Sequence, residues 1–139
     1  MRRLPLLMIG LVLLASACSS GGSDGSASPD YTPVPDDEIF AAIQGLPGVE
    51  RADVSYNDTF PAHSYLATIT VSAGADAQSV LDSIYAKLWQ GRKGADITLE
   101  AQQNGAVVRL DAFGGRPTSR AALTKRYGEQ PGDGSPPTG

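Results

Sequence analysis

Residues 77–90 carry the clearest helical pattern in this chain, and that pattern limits how the remainder can fold. Apolar side chains recur there as one broad stripe, with Asp76 in the position of an N-cap and Gly91 at the end. Such a stripe needs an apolar surface to pack against. Four segments of alternating apolar and polar residues can supply it: 49–57, 64–72, 95–103 and 106–113.

A shorter helix is predicted over 37–44, where apolar residues recur at helical spacing after Asp36. The first two strands are joined by a short loop, which favours an antiparallel pair. The last two are separated by Asn104-Gly105, a strong signal for a type I′ hairpin because both residues tolerate positive φ.

The resulting order of elements is αββαββ, with a marginal third helix over 119–127. Alternation in the strands implies one buried sheet face, and two amphipathic helices suffice to cover it. The sequence therefore predicts an α+β fold: a two-layer sandwich of a four-stranded, mainly antiparallel sheet with two helices on one face.

The amino-terminal segment has the order of an export signal. Arg2 and Arg3 are followed by an apolar run over 4–14, which is short for a membrane span, and by small residues before Cys18. The ending Leu-Ala-Ser-Ala-Cys resembles the lipobox of bacterial lipoproteins, although Ala15 stands where that family usually prefers Leu. The resemblance implies diacylglycerol on the Cys18 sulfur and cleavage before this residue. The alternative is an ordinary secretory signal with Cys18 incidental.

This interpretation divides the chain into a signal peptide over 1–17, a flexible tether over 18–35, a single domain over 36–128 and a disordered tail over 129–139. The tether and the tail are predicted from their Gly, Ser and Pro content, which leaves little to bury. The expected location is the extracytoplasmic face of the cell membrane, with the lipid at Cys18 as the anchor.

Composition argues against several functions. Processing would remove two of the eleven basic residues and leave nine against fifteen acidic ones, a formal charge of −6, which disfavours nucleic-acid binding. Cys18 is the only cysteine and His63 the only histidine, so disulfides are excluded and a zinc or iron–sulfur site lacks ligands. We therefore expect no metal, no cofactor and no nucleic acid as partners.

Two candidate surfaces stand out. The turn over 114–119 joins a strand to a potential helix, and Arg116, Thr118 and Ser119 are suitable groups for an anion, although a plain capped turn has the same composition. Trp89, Arg92 and Lys93 are candidates for a contact surface. The basic residues of the second half form a candidate basic face: Arg92, Lys93, Arg116, Arg120, Lys125 and Arg126.

His63 beside Asp58 is the remaining candidate, since a hydrolase or transferase would need such a base together with a nucleophile. No catalytic motif supports that alternative. The sequence instead predicts a non-catalytic binding or scaffolding domain, anchored in the cell envelope. An envelope protein or a cell-wall polymer is the expected partner, and a small anion bound at 114–119 is the alternative.

Overall fold

The computed structural model describes residues 32–59 and 61–138. The predicted signal peptide, Cys18 and most of the tether lie outside the described residues. The elements, in chain order, are helix α1 (Asp36–Gln44), strands β1 (Val49–Thr59) and β2 (Ala62–Val71), helix α2 (Ala77–Leu88), strands β3 (Asp96–Gln103) and β4 (Ala106–Val108), a 3₁₀ turn (Asp111–Phe113) and helix α3 (Arg120–Tyr127).

The four strands form one open, mixed sheet in the order β1-β2-β3-β4. Two of the three neighbouring pairs are antiparallel hairpins, and β2 pairs with β3 in parallel. The parallel pair follows from connectivity, because the helix α2 lies between these strands and returns the chain to the same end of the sheet. The predicted α+β class and four-stranded sheet are confirmed.

The core lies between the helices and one face of the sheet. Alternate residues of β2 are buried on that face, and the stripe of α2 covers them. The largest fully buried side chains form the centre: Trp89, Tyr65, Ile39, Ile43, Ile69, Leu81, Ile84, Leu88, Leu123 and Val71. Each fully buried large aliphatic side chain stabilises the fold by about 1.5–3 kcal/mol relative to an exposed one.

The helix α2 begins as the sequence predicts. Asp76 Oδ1 accepts the backbone N–H of Gln78, and its Oδ2 accepts the hydroxyl of Ser79 at 2.7 Å. The Ser79 and Gln78 bonds hold the pKa of Asp76 below its usual value, because they favour the charged form. The helix ends at Leu88 rather than Gln90, so Trp89 lies just beyond it.

The fourth strand is much shorter than predicted. It pairs with β3 only over Ala106–Val108. The side-chain amide of Gln78 then donates to the carbonyl of Arg109 at 2.9 Å and accepts the N–H of Asp111 at 2.8 Å. Because these bonds satisfy the backbone as a ladder would, the chain leaves the sheet and turns towards α2. The sequence prediction of a strand through Phe113 is therefore corrected.

Packing continues beyond both predicted ends of the domain. Val34, within the predicted tether, donates its N–H to the carbonyl of Gln90 at 3.0 Å. In the predicted tail, Gln130 accepts the N–H of Gly94, and Gly132 donates to the carbonyl of Trp89. Residues 129–138 have no helix or strand. The part up to Gly134 nevertheless lies against the end of α2, and Gly134 itself is buried. The folded unit thus extends past Gly128.

At Gly91 the backbone lies directly against the buried side chain of Tyr65. A Cβ at this position would lie 2.1 Å from the hydroxyl of Tyr65, which is itself held by two hydrogen bonds. We expect Gly91→Ala to destabilise the domain by about 1–3 kcal/mol, because the buried ring must shift. Denaturant unfolding measures this difference.

Gly45→Ala is the matched control for Gly91→Ala. Its Cβ would meet the nearest atom, the carbonyl oxygen of Ala41, at an ordinary 3.5 Å. This substitution should leave stability unchanged or slightly raised. Equal effects of the two substitutions would contradict the packing described around Tyr65.

Candidate binding cleft

The segment 109–118 forms an arch that is attached to α2 at both ends. Gln78 holds its beginning, as described above. Near its other end, the hydroxyl of Thr118 lies 2.9 Å from that of Tyr85. Between these points Gly114 and Gly115 have φ values of 63° and 68°, a left-handed pair that bends the chain without steric cost. The arch therefore stands away from β3.

A cleft of about 530 Å³ lies between this arch and β3. That volume falls in the range of ordinary ligand pockets, roughly 300–1,000 Å³. Its apolar lining includes Tyr85 and Phe113, whose rings meet edge to face with centroids 5.2 Å apart. Burial raises the pKa of Tyr85, which remains protonated near neutral pH, although its bond to Thr118 opposes that shift. The remaining lining residues are Ile97, Thr98, Leu99, Glu100, Val108, Arg109, Leu110, Arg116, Pro117 and Thr118.

The cleft carries the opposite balance of charge to the molecule as a whole. Arg109 and Arg116 line it together with Glu100, whereas the chain has a formal net charge of −4. The two arginines outnumber the single carboxylate, so the lining has a net positive charge. Among the described residues, no carboxylate forms a salt bridge with either arginine. Both arginines are exposed residues.

A second hollow of about 380 Å³ adjoins the cleft on the outer face of the sheet. It shares Leu99, Glu100, Val108 and Arg109 with the first. Val107, which is 74% exposed, lies on this side. The edge of β3 beyond the end of β4 is therefore open from both faces.

The structure brings two of the three residues of the predicted anion site to the cleft. Arg116 and Thr118 line it, and Ser119 does not. The hydroxyl of Thr118 pairs with Tyr85, and that of Ser119 accepts the N–H of Ala122 at 3.3 Å as the N-cap of α3. The hydroxyls of Thr118 and Ser119 are therefore engaged within the domain, and Arg116 is the side chain that has no salt bridge among the described residues. The sequence does not indicate Arg109 as a site residue, because the predicted strand over 106–113 includes it among residues paired with the neighbouring strand.

The predicted contact surface of Trp89, Arg92 and Lys93 is not a single surface. Trp89 is only 1% exposed and donates its indole N–H to the carbonyl of Gly128, so it belongs to the core. Arg92 pairs with Asp36 at 2.8 Å and lies over the ring of Tyr56 at 4.4 Å. Lys93 is exposed.

The predicted basic face is likewise divided by ion pairs. Arg126 binds Asp82 and Arg92 binds Asp36. Arg120 donates to the carbonyl of Gly94 and to Asp96. Each pair satisfies a cation that the hypothesis had assigned to an external polyanion.

His63 lies at the start of β2, and its ring is 45% exposed. Its Nδ1 is 2.8 Å from Oδ1 of Asp58, which provides the carboxylate that a catalytic histidine would require. Within residues 32–59 and 61–138, Asp58 is the only hydrogen-bond partner found for the ring. The arrangement therefore lacks a nucleophile in contact with His63 in the described part of the chain.

Two further observations concern the described residues alone. They contain no group of three or more His, Cys, Asp or Glu side chains placed to hold a metal ion. None of their helices combines the length and the apolar character needed to cross a membrane.

The fold and the cleft define a small, open α+β sandwich with an arginine-lined site at one sheet edge. Comparisons with protein-family models, with curated proteins and with solved structures gave no match.

Proposed function

We propose that this chain is a lipoprotein, anchored to the cell membrane through Cys18, whose domain binds a carboxylate-bearing ligand in the cleft. The observation that carries the binding proposal is the pair Arg109 and Arg116, which line a concave site and have no carboxylate partner among the described residues. Guanidinium groups suit this role because they are always charged and bind carboxylates with two parallel hydrogen bonds.

The anchor is supported by the sequence over 2–18, with its basic start, apolar run and Leu-Ala-Ser-Ala-Cys ending. The domain that follows begins with Val34 packed against the end of α2. The predicted tether over 18–35 would hold the cleft clear of the lipid headgroups, since a flexible chain of that length extends on the order of 20 Å.

Cys18→Ala should move the protein from the membrane fraction to the soluble or secreted fraction of a bacterial host. The reason is that acyl chains contribute about 0.8 kcal/mol for each buried methylene, and the substitution removes their point of attachment. Detergent phase partitioning and intact-mass measurement check this. An unmodified Cys18 in the exported wild-type protein would contradict the anchor.

Arg116→Gln should weaken carboxylate binding about tenfold or more, since one charge-assisted hydrogen bond contributes about 1.5–3 kcal/mol. Succinate and an acetylated Asp-Val-Thr peptide are suitable probes, titrated at low salt and followed by nuclear magnetic resonance shifts of the cleft residues. Arg109→Gln should act in the same direction.

The matched control is Arg51→Gln, which removes an exposed arginine from the outer face of β1, away from the cleft. Its binding should equal that of the wild type. Shifts that are absent from the cleft, or equal losses in the Arg51 and Arg116 variants, would overturn the proposed site.

A further inference from the structure

Within the described part of the chain, the edge of β3 is unpaired along one wall of the cleft. β4 pairs with β3 only at Ala101, Gln102 and Gln103. The five preceding residues of β3, over 96–100, therefore have β2 on one side and, among the described residues, no strand on the other. Over Ile97–Leu99 this edge spans about 10 Å, at about 3.3 Å for each residue.

The hairpins on both sides determine which backbone groups face the cleft. Asn104 and Gly105 form a two-residue turn with φ of 53° and 78°, so the flanking pair Gln103 and Ala106 exchanges both hydrogen bonds. Alternate residues of a strand direct their backbone groups to the same side, so Ala101, Leu99 and Ile97 follow Gln103. The N–H and C=O groups of Leu99 and Ile97 therefore point towards the cleft.

The other hairpin leads to the same assignment. Thr59 and Ala62 flank the two-residue connection between β1 and β2. The even-numbered residues of β2 then face β1 and its odd-numbered residues face β3. Because Ala67 lies opposite Leu99 in the parallel pair, Leu99 directs its own groups away from β2. No backbone partner on the cleft side is found for Ile97 or Leu99 among the described residues.

From this geometry we propose that the ligand of the cleft is an extended acidic peptide that adds a short strand to β3. Its backbone pairs with Ile97 and Leu99, and a carboxylate of the peptide binds Arg109 and Arg116. Strand addition supplies affinity through main-chain hydrogen bonds, and the pockets beside the edge supply specificity. The inference rests on the proposed function, because it assigns a ligand class to the same site.

The charge of the cleft selects an acidic partner over a basic one. Arg109, Arg116 and Glu100 all line it, so the lining carries one net positive charge. The apolar surface of Tyr85 and Phe113 can receive one side chain of the added strand. A neutral or basic peptide would leave both guanidinium groups without a counter-charge.

Amide hydrogen exchange of the full chain in detergent micelles tests the proposal. The probes are an equimolar library of acetylated hexapeptides with one Asp and five varied residues, and the enriched sequences resynthesised individually. Binding should slow exchange at Ile97 and Leu99 about tenfold or more. Thr98 and Glu100 are internal controls, because their amides already face β2 and should change little.

N-methylation of the bound peptide separates strand addition from simple charge recognition. Methylation at alternate residues that face β3 should abolish binding, and methylation at the intervening residues should not. If succinate and methylated peptides bind through Arg116 with equal affinity, strand addition is overturned while the proposed function stands. Enrichment that is unaffected by Arg116→Gln, or no enrichment from the library, overturns the peptide proposal.

Discussion

Trp89→Ala should destabilise the domain by about 3–5 kcal/mol, the usual cost of removing a large buried aromatic side chain. Trp89 is 1% exposed and is the largest of the fully buried side chains. Its indole N–H donates to the carbonyl of Gly128 at 2.9 Å, and that acceptor would lose its partner. This loss is a large fraction of the total stability of a domain of this size, about 5–15 kcal/mol.

The position of Trp89 explains why the effect should extend beyond one cavity. The indole joins the end of α2 to the end of α3 through Gly128. Gly132 also lies against it, since its backbone N–H reaches the carbonyl of Trp89 and a Cβ on Gly132 would lie 2.9 Å from the ring. We therefore expect α3 and the segment after it to exchange amide hydrogens faster in Trp89→Ala.

Far-UV circular dichroism in urea measures the change, because the chain has no other tryptophan to report it by fluorescence. Trp89→Phe should cost less, since it retains most of the volume and loses the indole bond. Val107→Ala is the control: its side chain is 74% exposed, and its effect should stay within about 0.5 kcal/mol. A Trp89→Ala variant as stable as Val107→Ala would refute the core described here.

Asp82→Ala should produce the second large loss, about 2–4 kcal/mol, by releasing α3 from α2. Arg126 binds this carboxylate through Nε at 2.8 Å and through Nη2 at 2.5 Å. The hydroxyl of Tyr127 donates to the same group at 2.6 Å. Removing the acceptor leaves the three donor groups of Arg126 and Tyr127 without this partner.

The helix α3 depends on this cluster because its own sequence gives it little else to bury. Among its eight residues only Leu123 is buried. An isolated helix of that length is marginal in water. We expect Asp82→Ala to detach α3 while α1, α2 and the sheet persist. Asp53→Ala, on the exposed face of β1, is the control and should have little effect. Protection of the α3 amides equal to that of the wild type would contradict the docking role.

The same cluster should make stability depend on pH. Burial tends to raise the pKa of Asp82, but the bonds from Arg126 and Tyr127 outweigh it and hold this pKa below its usual value. The charged carboxylate is therefore favoured in the folded state. Its contribution is present above the unfolded pKa of about 3.9 and is lost as pH falls through the lower folded pKa.

Acid unfolding of Asp82→Asn isolates this contribution. The amide keeps the shape of the side chain and cannot titrate, so the variant should be less stable at neutral pH and lose less further stability on acidification. Urea unfolding at a series of pH values from neutral to strongly acidic measures both. Parallel stability curves for the variant and the wild type would exclude Asp82 as the source of the pH dependence.

Only part of the candidate site was accessible from the sequence. Arg116 was recognised from its turn, and it lines the cleft. Arg109 was missed because 106–113 alternates like a strand, and alternation does not reveal where pairing stops. The chain leaves the sheet because Gln78 binds the backbone of Arg109 and Asp111, which are 31 and 33 positions away in the sequence. No local pattern encodes these two hydrogen bonds.

Trp89 is a second residue whose position the local pattern does not determine: it was a candidate for a contact surface, and the structure buries it. It stands at the margin of the helical stripe, where a surface role and a core role have the same local pattern. Burial was decided by α3 and by residues 128–132, which close over it from a distant part of the chain. The sequence includes Arg92, Arg120 and Arg126 in the candidate basic face, but acidic residues of other elements form ion pairs with these three.

What the sequence determined by itself is local. Periodicity placed α1, α2 and the four strands, because a helix and a strand expose their apolar faces at different intervals. Asp76 and the Asn104-Gly105 turn set two boundaries through their own backbone chemistry. Tertiary structure alone decided the length of β4, the docking of α3, the burial of Trp89 and the open edge of β3. Each of these depends on a contact between residues that are far apart in the sequence. Such contacts exist only in the packed chain, so no local pattern reveals them.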